Sequence, residues 1–175
     1  MTLLTDKIRS FIGVESEPQH ACDAVEAGAV RRYCQAIMNE APEFASTASS
    51  DNRYGGPVAP PLFPTHAFRR PYGSPDPLQE RADDPHFDGM GNTAWAGLPD
   101  LPLPNFGLLN GGLEIEMFRF ARNGERIVSR HRYRDIVEKE GKRGLMLFVE
   151  IESDFTTSNG DLLMRLRRTV IRTPT

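Results

Sequence analysis

Apolar and polar residues alternate along the last third of the chain. The apolar positions recur at every second residue in three stretches, 113–117, 145–152 and 162–170. Because successive side chains of a strand point to opposite faces of a sheet, each stretch predicts a strand with one apolar face. Residues 127–138 are more polar and predict a further strand with one solvated face. Turn-forming residues separate these strands, so we expect four long strands in an antiparallel meander.

Helical periodicity marks the first part of the chain. Apolar residues at three- and four-residue steps predict a helix over 26–39, which Pro42 prevents from continuing. Its apolar face carries Val30, Tyr33, Cys34 and Ile37. Residues 5–11 predict a short helix and residues 20–25 a short strand. Helices followed by a sheet of consecutive antiparallel strands indicate the α+β class.

Prolines and many of the glycines are concentrated in the middle of the chain, from 55 to 107. This density excludes a long helix or a central strand, because proline lacks the N–H group that both need. One short helix fits between Pro61 and Arg70, with proline in its first turns. We expect residues 72–107 to form an irregular excursion, and such long loops in compact domains are usually functional or mobile.

The composition is that of one globular domain, residues 1–175. With 39% hydrophobic residues and a formal net charge of −3, the chain can build a core and is not a disordered acidic chain. The overall charge also argues against a nucleic-acid surface. We interpret four arginines near the end of the chain mainly as the polar side of a strand, with an anionic ligand as the alternative. They are Arg165, Arg167, Arg168 and Arg172.

The cysteines and the apolar runs bear on the compartment. Cys22 and Cys34 lack a metal-binding spacing and are too few for a disulfide scaffold, so we expect two buried thiols. Residues 1–13 have no long apolar core, and no run reaches the length that crosses a bilayer. The expected location is therefore a soluble, reducing compartment, by default the cytoplasm.

Several segments form an ordered set between residues 11 and 172. They read VRRYCQAI at 30–37, a polar turn with Pro42, GGPVAPPLF at 55–63, NGGLEIE at 110–116, Phe118-Arg119, NGE at 123–125, EGKRG at 140–144 and NGD at 159–161. In this order they resemble the N-terminal domain of MaoC-like dehydratases. The resemblance implies a hot-dog fold, in which a curved antiparallel sheet wraps around a helix and two such units pair.

The resemblance also implies a chemistry. Members of this family hydrate trans-2-enoyl thioesters or dehydrate 3-hydroxyacyl thioesters, with a CoA or carrier-protein thioester as the substrate and no metal or redox cofactor. The reaction needs a base for water, an acid for the α-carbon and donors for the enolate oxygen. Active members carry an aspartate and a histidine five positions apart after the first main helix, and backbone N–H groups supply the enolate donors.

The catalytic pair is missing from the matching positions of this chain. The resemblance places Asn39 where the aspartate belongs and Phe44 where the histidine belongs, and neither side chain can transfer a proton at neutral pH. Glu40 and Glu43 lie nearby, but we interpret them as solvated acids at a helix end. No catalytic residue is therefore predicted in this chain.

A ligand wall is still expected around the proline-rich middle, with N–H groups near Gly56 and Val58 facing a thioester carbonyl. The predicted substrate-binding residues are Tyr54, Gly56, Pro57, Val58, Ala59, Phe63, His66 and Trp95. For His66 a structural role is the alternative, and Trp95 can equally fasten the excursion onto the sheet. His86 lacks the further ligands of a metal site, and His20 and His131 are expected at the surface or at an interface.

These expectations lead to one interpretation and two alternatives. The chain is expected to be the non-catalytic partner in a heteromeric enoyl-CoA hydratase or 3-hydroxyacyl-CoA dehydratase, paired with a MaoC-like subunit that carries the aspartate and histidine. The alternatives are a self-sufficient hydratase or thioesterase with relocated residues, and a non-enzymatic acyl-CoA-binding or scaffold dimer.

Overall fold

The computed structural model describes residues 2–68, 70–85, 97–103, 106–142 and 144–174. The helices are α1 (Asp6–Arg9), α2 (Ala27–Ala36), a 3-10 turn at Pro42–Phe44, α3 (Phe63–His66) and α4 (Pro77–Glu80). The strands are β1 (Gln19–Ala24), β2 (Phe106–Met117), β3 (Arg126–Gly141), β4 (Gly144–Thr157) and β5 (Leu162–Pro174). All predicted elements are present, and most lie within a few residues of their predicted bounds, but β2 begins seven residues before its predicted start.

The five strands form one antiparallel sheet in the order β1-β3-β4-β5-β2. The predicted meander is correct for β3, β4 and β5 and wrong for β2, which pairs with β5. The connection 118–125 leads from the edge strand β2 to β3, which lies beside the other edge strand, β1. At one end the Phe118 N–H donates to the Leu163 carbonyl, and at the other the Gly124 N–H donates to the Val25 carbonyl. Alternation sets which face of a strand is apolar, but not which strand lies beside it.

The concave face of the sheet packs around α2. Val30 and Cys34 of this helix are buried against apolar side chains of the sheet. Those side chains are Ile127, Phe155, Leu163, Met164 and Leu166. The predicted α+β architecture, a curved antiparallel sheet wrapped around a helix, is therefore confirmed.

A second apolar cluster fills the other half of the concave face. Ile8 from α1 and Leu98 and Leu103 from the segment 97–103 are buried against the sheet. The Tyr133 hydroxyl donates to the Pro99 carbonyl at 2.8 Å. The predicted irregular excursion over 72–107 is thus corrected where it is described, because α4 forms a helical turn, 97–103 packs on the core and Phe106 begins β2.

A polar group lies within the concave face. His131 is 8% exposed, with Nδ1 2.7 Å from the Ser153 hydroxyl and Nε2 3.2 Å from the Ser129 hydroxyl. Burial lowers the pKa of His131 to about 4. The expectation that this histidine lies at the surface is therefore wrong: on β3 it shares the inward face with Ile127 and Tyr133.

The convex face carries charged side chains. Glu152 is 3% exposed and lies beneath arginines of the neighbouring strands, with Arg167 Nε 2.8 Å from its Oε2. Arg165 and Arg167 thus occupy the predicted polar side of β5. Arg168 and Arg172 pair in register with Ile151 and Leu147 and lie on the concave side, so the prediction of one shared polar face is wrong for these two residues.

Candidate functional site

The end of α2 brings Asn39 to its position. The helix stops earlier than predicted, because Met38 adopts a left-handed conformation with φ 52°. The Asn39 N–H donates to the Cys34 carbonyl at 3.0 Å and the Met38 N–H to the Gln35 carbonyl at 3.3 Å. These bonds satisfy the last helical carbonyls in the usual helix-ending pattern, although glycine commonly holds the left-handed position. Asn39 therefore turns away from the helix axis.

The chain then makes a tight turn that carries Phe44. The Asn39 side-chain oxygen accepts a hydrogen bond from the Ala41 N–H at 3.3 Å. Pro42 opens the 3-10 turn, and the Phe44 ring packs at the margin of the first apolar cluster. The chain between Asn39 and Phe44 therefore folds back on itself.

Asn39 and Phe44 line one cavity of about 420 Å³. This volume is in the range of small-molecule sites. The structure therefore brings together the two positions that the resemblance paired, with an amide and a phenyl ring where a carboxylate and an imidazole would transfer protons. Cys34 also lines the cavity, and burial raises the pKa of its thiol, so it stays protonated at neutral pH.

The two neighbouring glutamates differ in their positions. Glu40 lines the cavity. Glu43 does not line it, and its carboxylate lies 3.9 Å from the Arg53 guanidinium. Glu40 is therefore the acidic residue in the described lining of this cavity, and it is the one candidate there for a relocated base.

Sequence reasoning missed two polar residues of the same cavity, Arg31 and Gln35. The Arg31 guanidinium donates to the Gln35 side-chain oxygen at 3.0 Å. Both lie on one face of α2, at a four-residue step that places them one turn apart. The four-residue spacing of Arg31 and Gln35 was the signal in the sequence that could have identified them as cavity residues.

The loop 54–59 is held by internal hydrogen bonds. The Asn52 side-chain oxygen accepts from the Gly56 N–H at 3.1 Å, and the Glu43 carbonyl accepts from the Val58 N–H at 3.1 Å. Gly56 and Val58 are also buried. The expectation of exposed N–H donors at these two residues is therefore wrong, because each N–H group already has a partner within the chain. Ala59 likewise donates its N–H to Ala121.

Four of the predicted site residues line two other cavities. Tyr54 and Val58 border a cavity of about 350 Å³. Phe63 and His66 border another of about 400 Å³, where the His66 ring lies 5.0 Å from the Tyr33 ring, centroid to centroid. Their roles in substrate binding stay predictions, and Trp95 and His86 lie outside the described residues. Within the described ranges, no three His, Cys, Asp or Glu residues are grouped as a metal site requires.

The curled antiparallel sheet around α2 defines a hot-dog domain. A family model described as "FAS1-like, dehydratase domain region" matches residues 10–166, which is most of the chain. The chain therefore belongs to this FAS1-like dehydratase family, and the resemblance to MaoC-like dehydratases is confirmed. A comparison with curated proteins finds no match.

Solved structures with the same fold include two complexes from Mycobacterium tuberculosis. The ChsH1–ChsH2 complex matches with a TM-score of 0.70 and 15% identity, over 97% of this chain and 91% of that one. The HadBC (3R-hydroxyacyl-ACP dehydratase) complex matches with a TM-score of 0.58 and 19% identity, over 97% and 99%.

A MaoC-like dehydratase from Rhodospirillum rubrum matches with a TM-score of 0.58 and 17% identity, over 94% of this chain and 93% of that one. At these identities the three structures establish the shared fold.

Among the described helices, none combines the length and apolar character that a bilayer crossing requires.

Proposed function

We propose that this chain is the non-catalytic subunit of a heteromeric enoyl-CoA hydratase or 3-hydroxyacyl-CoA dehydratase. The observation that carries the proposal is the cavity in which Asn39 and Phe44 lie together. The pocket keeps the size of a ligand site, but its two diagnostic positions have lost the groups that transfer protons. A second subunit with the aspartate and the histidine supplies the chemistry, and this chain forms part of the acyl-thioester tunnel.

The free edge of the sheet supports pairing with such a subunit. β2 is the last described strand beside β5, and it carries Leu113 and Ile115 in exposed positions. An unpaired edge with apolar side chains is a surface that proteins normally cover. Two of the similar structures are heteromeric complexes, which favours a different chain as the cover. We place this assembly in the cytoplasm, in acyl-thioester metabolism, with no metal or redox cofactor.

Glu40 favours one alternative, a self-sufficient hydratase or thioesterase with a relocated base. Glu40 lines the cavity together with Asn39, so its carboxylate is the candidate for the relocated base. In that case the chain alone hydrates an enoyl thioester, and Glu40→Gln abolishes the activity. Glu43→Gln is the matched control, because Glu43 does not line the cavity.

Co-expression with a MaoC-like subunit that carries the Asp/His pair tests the proposal. The purified chain should not hydrate crotonyl-CoA or longer enoyl-CoA thioesters, followed by loss of the enoyl absorbance, and the co-purified complex should hydrate them. Replacing the aspartate of that subunit should abolish the activity, whereas Glu40→Gln in this chain should preserve it. A complex that forms without turnover but binds acyl-CoA would instead indicate the non-enzymatic binding or scaffold protein.

A further inference from the structure

The outer edge of β2 combines apolar and acidic side chains. Leu113 and Ile115 face the concave side and are 51% and 38% exposed. Glu114 and Glu116 face the convex side, where their side chains are 71% and 50% exposed. No strand in the described part of the chain pairs with this edge.

A bulge limits the part of this edge that another strand can pair with. The register between β2 and β5 shifts between Asn110 and Gly112, and Gly112 has φ 138°. The Asn110 side-chain oxygen accepts a hydrogen bond from the Gly112 N–H at 3.3 Å. Because the bulge interrupts the ladder, β2 offers a new strand two regular stretches, 106–110 and 112–117, and the acidic pair lies on the second.

The acidic pair on this stretch stays exposed although arginines of β5 lie across the ladder from it. Arg167 is its salt-bridge partner, with Nη1 3.6 Å from Glu114 and Nη2 3.7 Å from Glu116. The same guanidinium makes its shortest contact, 2.8 Å, with the buried Glu152. The Arg167 guanidinium therefore lies farther from the two edge carboxylates than from Glu152, and Arg165, the cross-strand neighbour of Glu116, adds a second positive charge beside the pair.

Two registers in which copies of this chain could pair along the edge are both unfavourable. In the first register, the stretches 112–117 of two copies pair antiparallel with Ile115 opposite Ile115. Glu114 of each copy then lies directly opposite Glu116 of the other on the convex face. Like charges in directly opposite positions destabilise a strand pair. If the whole strands overlap instead, the two bulges at 110–112 face each other and the ladder is interrupted in its centre.

We propose that the β2 edge selects a different chain as its partner, one whose edge strand carries lysine or arginine side chains opposite Glu114 and Glu116. The inference rests on the proposed heteromeric function and specifies the partner's chemistry. Opposite charges in these positions attract, whereas a second copy of this chain brings acid against acid, so the same pair of residues favours one assembly and disfavours the other.

A charge-reversed copy of the chain serves as the probe. The double variant E114K/E116K, mixed in equal amounts with the unaltered chain, should form a heterodimer about tenfold more tightly than either protein forms a homodimer. Sedimentation or native mass spectrometry measures the three dissociation constants, and added salt should reduce the difference. The neutral double variant E114Q/E116Q should self-associate more than the unaltered chain, because the repulsion is removed.

A matched control changes the charge equally at the other edge of the sheet. Glu17→Lys with Asp23→Lys alters exposed residues at and next to β1, and its mixture with the unaltered chain should show no gain. An equal gain in this control, no gain with E114K/E116K, or an unaltered chain that already forms a tight β2-paired homodimer would overturn the inference. None of these readouts uses hydratase activity, so an inactive complex would count against the proposed function and leave this inference standing.

Discussion

At the scale of single residues, His131 couples folding to pH. Its burial lowers its pKa from 6.5 to about 4 and so holds the imidazole in the neutral form at neutral pH. The unfolded chain therefore binds more protons than the folded chain between these two pH values, and the free energy of unfolding falls as the pH drops through that range.

We predict that this residue accounts for up to about 3 kcal/mol of stability lost between neutral pH and pH 4. Denaturant unfolding at a series of pH values measures the loss, which should be much smaller in His131→Asn. His20→Asn is the control, because His20 lies exposed on β1. If His131→Asn kept the full slope of the unaltered chain, His131 would not be the group responsible.

Residue identity also decided how far the site could be anticipated. The positions of Asn39 and Phe44 were found by resemblance, and the structure places both in one cavity. The burial of His131 was missed because a polar side chain carries no apolar signal, although Ile127 at a four-residue distance on the same strand indicates the inward face. The early end of α2 was missed because Met38, unlike glycine, does not signal a left-handed position.

At the scale of elements, the bulge in β2 depends on Gly111. A Cβ at this position would lie 2.9 Å from Ile171 Cγ1 and 2.9 Å from Thr169 Cγ2, closer than real contacts allow. Only glycine fits at position 111, because Ile171 and Thr169 of β5 occupy the space that a Cβ would fill.

We predict that Gly111→Ala lowers the free energy of unfolding by about 1–3 kcal/mol, as overpacked positions do. Gly28→Ala in α2 is the matched change, since its Cβ would meet Arg32 Nη1 at 3.5 Å and alanine favours a helix. Thermal or urea unfolding of the two variants should give shifts of opposite sign. Equal stability of Gly111→Ala and the unaltered chain would show that β5 can move away.

The elements themselves were largely predictable, but their arrangement was not. Two-residue alternation and turn residues identified β3, β4 and β5 and their order, because neighbours in sequence joined by short turns pair with each other. The same signals gave β2 but not its neighbour, because the connection 118–125 is as short as a hairpin loop although it leads from the edge strand β2 to β3 on the far side of the sheet.

At the scale of the whole molecule, two apolar clusters share one sheet. The second cluster depends on segments distant in sequence, because it contains Ile8 from α1 and Leu98, 1% exposed, from 97–103. The proline-rich composition of this region predicted an irregular path, and it carries no pattern that shows which of its leucines reach the core.

We predict that Leu98→Ala lowers the free energy of unfolding by about 2–4 kcal/mol, because it leaves a cavity in the second cluster. Leu109→Ala, at a side chain 53% exposed, should change the stability by about 0.5 kcal/mol or less. Urea unfolding measures both. Equal effects of the two substitutions would mean that 97–103 does not contribute to the core.

The anchoring of the residues before α1 has a consequence for the order of folding during synthesis. The Glu138 carboxylate accepts hydrogen bonds from Thr2 and from the N–H groups of Leu3 and Leu4, across a sequence separation of 134 residues for Leu4. These residues leave the ribosome long before β3 does. They therefore cannot form these hydrogen bonds until Glu138 has been synthesised. The second cluster consequently forms late, whereas α2 can form its local hydrogen bonds early.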